Sequence, residues 1–221
     1  DDLILIACGD RYTELICSHK DWLSDYFIVP YIDLELKSRL ENKEDFYNIC
    51  EEYGLDYPAT VMLHKDSKPP FDLPFDYPIA VKASDSIEYV DLDFPGKKKA
   101  YKANSPAELE QIFSDIYGAG YTGTLIVQDF IPGDDATMYV LNSYSDANGK
   151  VQAMCLGHCV LEDYTPAGIG NYNAIIQEGI QEVYDQYKAF LEAIGFVGFS
   201  NFDIKYDERD GRYKVFEINI R

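Results

Sequence analysis

Asn201-Phe202-Asp203-Ile204-Lys205 and Phe216-Glu217-Ile218-Asn219-Ile220-Arg221 are the two stretches on which the reading of this chain turns. Both alternate apolar and polar residues with a period of two, the pattern of a strand buried on one side. That period puts Glu217, Asn219 and Arg221 on one face. Pairing 197–206 with 212–220 through the turn Asp207–Gly211 brings Asp203 beside them. Two carboxylates and an amide oxygen are hard ligands. Such a set suits Mg2+, which takes few protein oxygens and fills its shell with phosphate and water. Arg221 is placed to meet a phosphate or a carboxylate. Taken alone, the triplet is more often a solvated acidic face than a site, so the rest of the chain decides.

Upstream, helices and short strands are mixed. Leu3–Cys8 is an apolar run ending at Gly9-Asp10, which predicts a buried parallel strand; residues 11–24 predict a helix and Phe27–Pro30 a second strand. These first 40 residues read as the end of an α/β unit. Lys43–Tyr53 predicts a helix closed by Gly54. A strand over 58–63 and a Pro- and Asp-rich loop over 64–76 precede a strand, 78–82, that ends on Lys82. Residues 84–99 read as an exposed flap. Ser105, Pro106 and Glu108 then give a strong helix start: N-cap, first-turn proline and capping-box acid. Strands follow at 124–131, 137–145 and 150–162, the last two joined by Asp146–Gly149. Residues 163–173 predict a loop and 175–194 a helix. Gly118-Ala119-Gly120-Tyr121-Thr122-Gly123 matches the dinucleotide fingerprint in letters only. It follows a helix and precedes a strand, the reverse of the order that brings a pyrophosphate to a helix N-terminus, so it is rejected.

Composition narrows the partners. The chain has 221 residues, with 19 basic against 39 acidic side chains and a formal charge of −20. So acidic a surface repels nucleic-acid backbones and anionic lipid, and neither is expected as a partner. A nucleotide needs only a few cations in one place, and Lys97-Lys98-Lys99 is the one basic cluster, with a solvated turn as an equal alternative. The 5 cysteines are odd in number and include no CxxC pair, which suits a reducing, cytoplasmic setting. Cys155 and Cys159 flank His158, but on a strand His158 points the other way, which disfavours a metal there. No apolar run reaches the roughly 18–20 residues of a membrane span, and no signal peptide is visible. The chain starts at Asp1 without Met and stops inside a strand, so it reads as a piece of a longer protein.

With these elements in order, the sequence resembles the ATP-grasp superfamily. Lys43 opens a helix where that family has its first nucleotide-contacting lysine, and Tyr77-Pro78-Ile79-Ala80-Val81-Lys82 resembles the strand bearing its second. Gln128-Asp129-Phe130-Ile131-Pro132-Gly133 resembles the hinge whose backbone holds adenine; Asp203, Glu217 and Asn219 match the magnesium triplet, and Arg221 the arginine that closes it. Glu162–Tyr172 is similar to the carboxylate–amine ligases related to D-aspartate ligase.

The resemblance implies an α+β ATP-grasp fold with two subdomains gripping ATP. Residues 1–40 would be the remnant of a preceding α/β domain, 41–130 the small subdomain with its linker helix, and 131–221 the large one. It implies ATP and Mg2+ as cofactors and a reaction joining a small carboxylate to an amine through an acyl phosphate, as in amino-acid or peptidoglycan-precursor ligases. Lys43, Lys82, Ser84, Gln128, Asp129, Phe130, Ile131 and Asp135 would bind nucleotide, Asp203, Glu217 and Asn219 the metal, and Arg221 and Lys82 would act in catalysis. The sequence departs from the family in a glycine-poor flap, in Ile220 where a proline is common after the metal asparagine, and in having no arginine over 158–162. A nucleotide-binding module of this fold without ligase activity stays open, as does the oligomeric state.

Overall fold

The computed structural model describes residues 3–163 and 171–220, with Ser86 and Ile87 described by backbone alone. The chain divides into two compact units, one formed by Asp1–Tyr57 with Gly133–Arg221, the other by Pro58–Pro132. No described helix is long and apolar enough to cross a membrane.

The second unit is a four-stranded antiparallel sheet under one long helix. Strands β1 (Thr60–Leu63), β2 (Ile79–Ala83), β3 (Tyr101–Ala103) and β4 (Leu125–Asp129) lie in the order β1-β4-β2-β3. A short helix, Ser86–Val90, and a long one, Pro106–Gly118, lie between them in sequence. Ser105 caps the long helix by accepting from the Glu108 N–H at 3.3 Å, while the Glu108 carboxylate takes the N–H of Asn104 at 2.9 Å. The expected box therefore forms, shifted by one residue. Leu109, Ile116 and Tyr117 of this helix pack on Ile79, Val81, Leu125 and Val127 of the sheet. The rejected glycine string has a packing explanation. Gly120 sits at φ 101°, and a Cβ on Gly123 would lie 2.6 Å from the hydroxyl of the fully buried Tyr121.

In the first unit, β5 (Met138–Ser145), β6 (Val151–Glu162), β7 (Tyr172–Gln177), β8 (Gly198–Asp207) and β9 (Arg212–Ile220) form an antiparallel sheet ordered β7-β6-β5-β8-β9. Phe202, Ile204, Leu141, Leu156, Val215 and Ile218 line its apolar face. The helix Gln181–Ala193 covers that face, with Tyr187 and Phe190 at 5.0 and 6.2 Å from Phe202 between ring centroids. Burying each such ring contributes roughly 2–3 kcal/mol. The helix Lys43–Tyr53 forms as expected. Asn42 caps it through the N–H groups of Glu44 and Asp45, and Gly54 closes it at φ 71°.

Four expectations are corrected. Leu3–Cys8 and Phe27–Pro30 reduce to one parallel bridge, Ile4 with Ile28, because no further strand flanks them among the described residues and a parallel pair is stable only when covered on both faces. The helix over 11–24 is two helices, Asp10–Ser18 and Lys20–Leu23, broken at His19. Residues 175–177 belong to β7, where the β-branched pair Ile175-Ile176 favours a strand, and the helix begins only at Gln181, after Gly179. The helix Leu34–Glu41, capped by Asp33, and the short β3 were not anticipated.

Candidate functional site

The hairpin of β8 and β9 pairs as its alternation requires, Asp203 opposite Glu217 and Asn201 opposite Asn219. One detail exceeds simple alternation. Period two would put Val215 on the same face as Glu217, yet Val215 is fully buried opposite Ile204. A β-bulge at Phe216 resolves the conflict: two residues of β9 span one of β8, Val215 turns into the core, and Glu217 turns to the polar face. The outer edge of β9 is tied down at this point. The Phe216 carbonyl accepts from the Tyr47 hydroxyl at 3.0 Å, and the Val215 N–H donates to the Asp56 carbonyl at 2.8 Å.

Tyr47 lies one turn after Lys43, so the same helix delivers both. The Lys43 ammonium stands 2.7 Å from the Glu217 carboxylate. A lysine in the first turn faces the positive end of the helix dipole, a mild penalty that the ion pair offsets. From β7, the Tyr172 hydroxyl reaches Oδ1 of Asp203 at 3.4 Å. Burial first, then the charge of Glu217 and the hydrogen bond shared with it, push the Asp203 carboxyl up to about 7, against the pull of Tyr172 and Lys43. Two half-buried carboxylates meet here, and the charge of each disfavours ionisation of the other. Asn219 adds an amide oxygen on the same face. A divalent cation with hard-ligand preference fits that set of oxygens. Among the described residues no three His, Cys, Asp or Glu side chains gather into a metal-binding group, because the third member of this set is an amide.

The other expected residues fall as follows. Lys82 is half-buried on β2, and Ser84, just beyond that strand, has its hydroxyl 3.4 Å from that of Tyr121. Gln128 is a core side chain, its amide donating to the Thr60 hydroxyl at 2.9 Å, and Gln128 and Asp129 both lie inside β4. Phe130 and Ile131 follow the strand; Phe130 carries the Lys102 ammonium 4.2 Å over its ring, and Ile131 is buried. The Asp135 carboxylate accepts from the Glu162 N–H at 3.1 Å, while Asp134 caps the short 3-10 turn Asp135–Thr137. In the flap, Lys97 donates to the carbonyls of Val90 and Leu92 and lies over Tyr89, so this lysine is a local staple. The cysteines are free, and His158 meets the Ala136 carbonyl and the Glu178 carboxylate, which removes it from any thiol cluster. Arg221 and residues 164–170 of the loop lie outside the described residues.

Sequence reasoning missed Tyr172, Asn201 and Asn142 on this face. Asn201 was within reach, since it stands two residues before Asp203 and must share its side of the strand. Tyr172 and Asn142 depend on pairings that no local pattern encodes.

No protein-family model matches the chain. It is 52% identical over 222 residues to the D-aspartate ligase of Enterococcus faecium (strain Aus0004), an alignment that takes in 99% of this chain and 53% of that protein. The chain thus spans about half the length of this curated relative. Among solved structures it resembles an L-amino acid ligase from Bacillus licheniformis, with a TM-score of 0.65 at 16% identity over 94% of this chain and 46% of that one. It also resembles a D-alanine–D-alanine ligase from Bacillus anthracis complexed with ATP, with a TM-score of 0.62 at 15% identity over 96% of this chain and 66% of that one. By sequence along nearly its whole length the chain is similar to that D-aspartate ligase, and its fold is like that of these two amino-acid ligases.

Proposed function

We propose that this chain is the nucleotide-binding part of an ATP- and Mg2+-dependent ligase that joins a carboxylate to an amine, with D-aspartate as the acid it activates. One observation carries the reading: Asp203, Glu217 and Asn219 share one sheet face with Lys43 at 2.7 Å from Glu217, in a chain 52% identical to a D-aspartate ligase. The chemistry is phosphoryl transfer followed by acyl transfer. A carboxylate oxygen of the acid bonds to the γ-phosphorus of ATP as the bond to ADP breaks. The amine nitrogen then bonds to the acyl carbon, phosphate leaves, and the nitrogen gives up a proton.

Such transfers need positioning and charge neutralisation more than covalent help from the protein. Asp203, Glu217 and Asn219 would hold Mg2+, which would supply neutralisation of phosphate charge. Lys43 adds a cation beside the same carboxylates, and Lys82 a further one for the phosphates. Asp203, with its carboxyl near 7, gives up its proton when a cation binds. Phe130 and Ile131 hold adenine through their backbone, with Gln128 and Asp129 fixing the strand before them. Ser84, Lys98 and Lys99 serve the phosphate flap, Asp135 the ribose side, and Arg221 the charge that develops on the transferred group. A cytoplasmic setting, where ATP is at hand and thiols stay reduced, suits this reading.

Residues 1–40 are proposed as the end of a preceding α/β domain, ahead of nucleotide-binding subdomains at 41–130 and 131–221. Leu3, Ile4, Ile6, Tyr12, Leu15 and Trp22 expose large apolar surface, and several of them line a groove of about 630 Å³.

The test is trapping. With ATP, Mg2+, D-aspartate and hydroxylamine, the chain should release phosphate and yield aspartyl hydroxamate, and Glu217→Gln should yield about 100-fold less or lower still. Nucleotide binding without hydroxamate would turn the assignment to a binding module instead.

A further inference from the structure

Across the polar face of the β8–β9 hairpin runs a row of three asparagines. Asn142 on β5 stands opposite Asn201 on β8, which stands opposite Asn219 on β9. Their side chains are linked in one direction. The Asn219 amide nitrogen donates to the Asn201 oxygen at 3.3 Å, and the Asn201 nitrogen donates to the Asn142 oxygen at 2.9 Å. Asn142 is exposed, and Asn201 and Asn219 are half-buried. An amide has a donor end and an acceptor end of nearly equal shape. Until a cation arrives, a lone asparagine is therefore held by nothing against turning its NH2 inward, and turning it back costs binding energy. In this row each amide whose oxygen accepts turns its nitrogen to the next, so one polarity runs through all three. The Asn219 nitrogen is then occupied by Asn201, and its oxygen is the end left for a cation.

We propose that Asn201 and Asn142 are positioning residues: they act as an amide relay that fixes which end of Asn219 the bound cation meets. This rests on the metal reading of Asp203, Glu217 and Asn219 given above. Groups that orient a ligand from behind typically change metal affinity by about 10–100-fold when removed. With two neutral amide bonds in series, the lower end of that range is expected.

A double-mutant cycle separates orientation from mere packing. The readout is Mn2+ affinity, followed by the electron paramagnetic resonance signal of the free ion with AMP-PNP present; thermal denaturation checks the fold. Asn201→Leu should weaken Mn2+ binding by about tenfold, and Asn142→Leu by less. An aspartate at 219 has two equivalent oxygens and nothing to orient, so in the Asn219→Asp background Asn201→Leu should change affinity by less than about twofold. An equal loss in both backgrounds, or none in either, overturns the relay while leaving the metal site standing. If Glu217→Gln binds Mn2+ as tightly as the unsubstituted chain, the metal reading itself falls, and the relay with it.

Discussion

Asp203 and Asp207 sit on the same strand and the same face, four residues apart, and the fold treats them in opposite ways. Asp207 is fully buried and saturated. The Arg209 side chain donates to both of its oxygens at 2.8 and 2.7 Å, and the Lys214 ammonium lies 2.7 Å away. Arg209 above all, with Lys214, holds its carboxyl well below the usual range. Asp203 faces Glu217, shares a hydrogen bond with it, takes a long bond from Tyr172, and has the Lys43 ammonium nearby on Glu217. One end of the hairpin is therefore a finished structural device. The other sets two carboxylates against each other, one of them raised to about 7, and that is where a cation and its phosphates can act.

The largest effect that sharpens this contrast is catalytic. Glu217→Gln keeps the shape and removes the charge, so phosphate release and hydroxamate formation should fall by about 100-fold or more, since a metal supplies several kcal/mol at about 1.4 kcal/mol per decade. The melting temperature should hardly move. Next comes the reverse case. Asp207→Asn leaves Lys214 to Asp210 and Arg209 without its carboxylate. Breaking a buried pair costs about 3–5 kcal/mol; because Arg209 is 45% exposed, the low end applies, about 3 kcal/mol. That corresponds to a drop of roughly 10 °C by calorimetry, with kcat unchanged at temperatures where the variant is folded. A variant of Asp207 that loses activity while keeping its stability would erase the distinction.

How much of this was legible beforehand depends on how local each feature is. The shared face of Glu217 and Asn219 follows from alternation, and the cap at Ser105 and the closure at Gly54 follow from residue type. The bulge at Phe216 does not, because it is decided by Val215 finding Ile204 across the hairpin. Tyr172 was read as loop: β7 is an edge strand whose residues are mostly exposed, so the apolar pattern that marks a strand is weak there. The apolar run Leu3–Cys8 erred the other way. Its composition asks for burial that one bridge to Ile28 does not supply. Lys43 was placed by resemblance, but its ion pair with Glu217 joins residues far apart in sequence and needed the fold.

The smallest effect is the most discriminating, because the two aspartates give stability opposite slopes with pH. For Asp207 the folded pKa lies below the unfolded value of about 4, so its contribution is present above that pH and fades as pH falls through the ordinary carboxylate range. For Asp203 the folded value is raised to about 7, so between about 4 and 7 the folded chain holds the extra proton, and stability must decline as pH rises through that window. With Asp203 partly open to solvent, that decline should amount to about 1–2 kcal/mol. Thermal denaturation of the metal-free chain from about pH 2 to 8 reads both limbs directly. Asp203→Asn should flatten the neutral limb and leave the acid limb in place, while Asp207→Asn should do the reverse. Mg2+ with AMP-PNP should also flatten the neutral limb, since it binds the ionised carboxylate and offsets the charge that destabilises it. A neutral limb that survives in Asp203→Asn would move the raised carboxyl elsewhere, and with it one reason for placing a cation on this face.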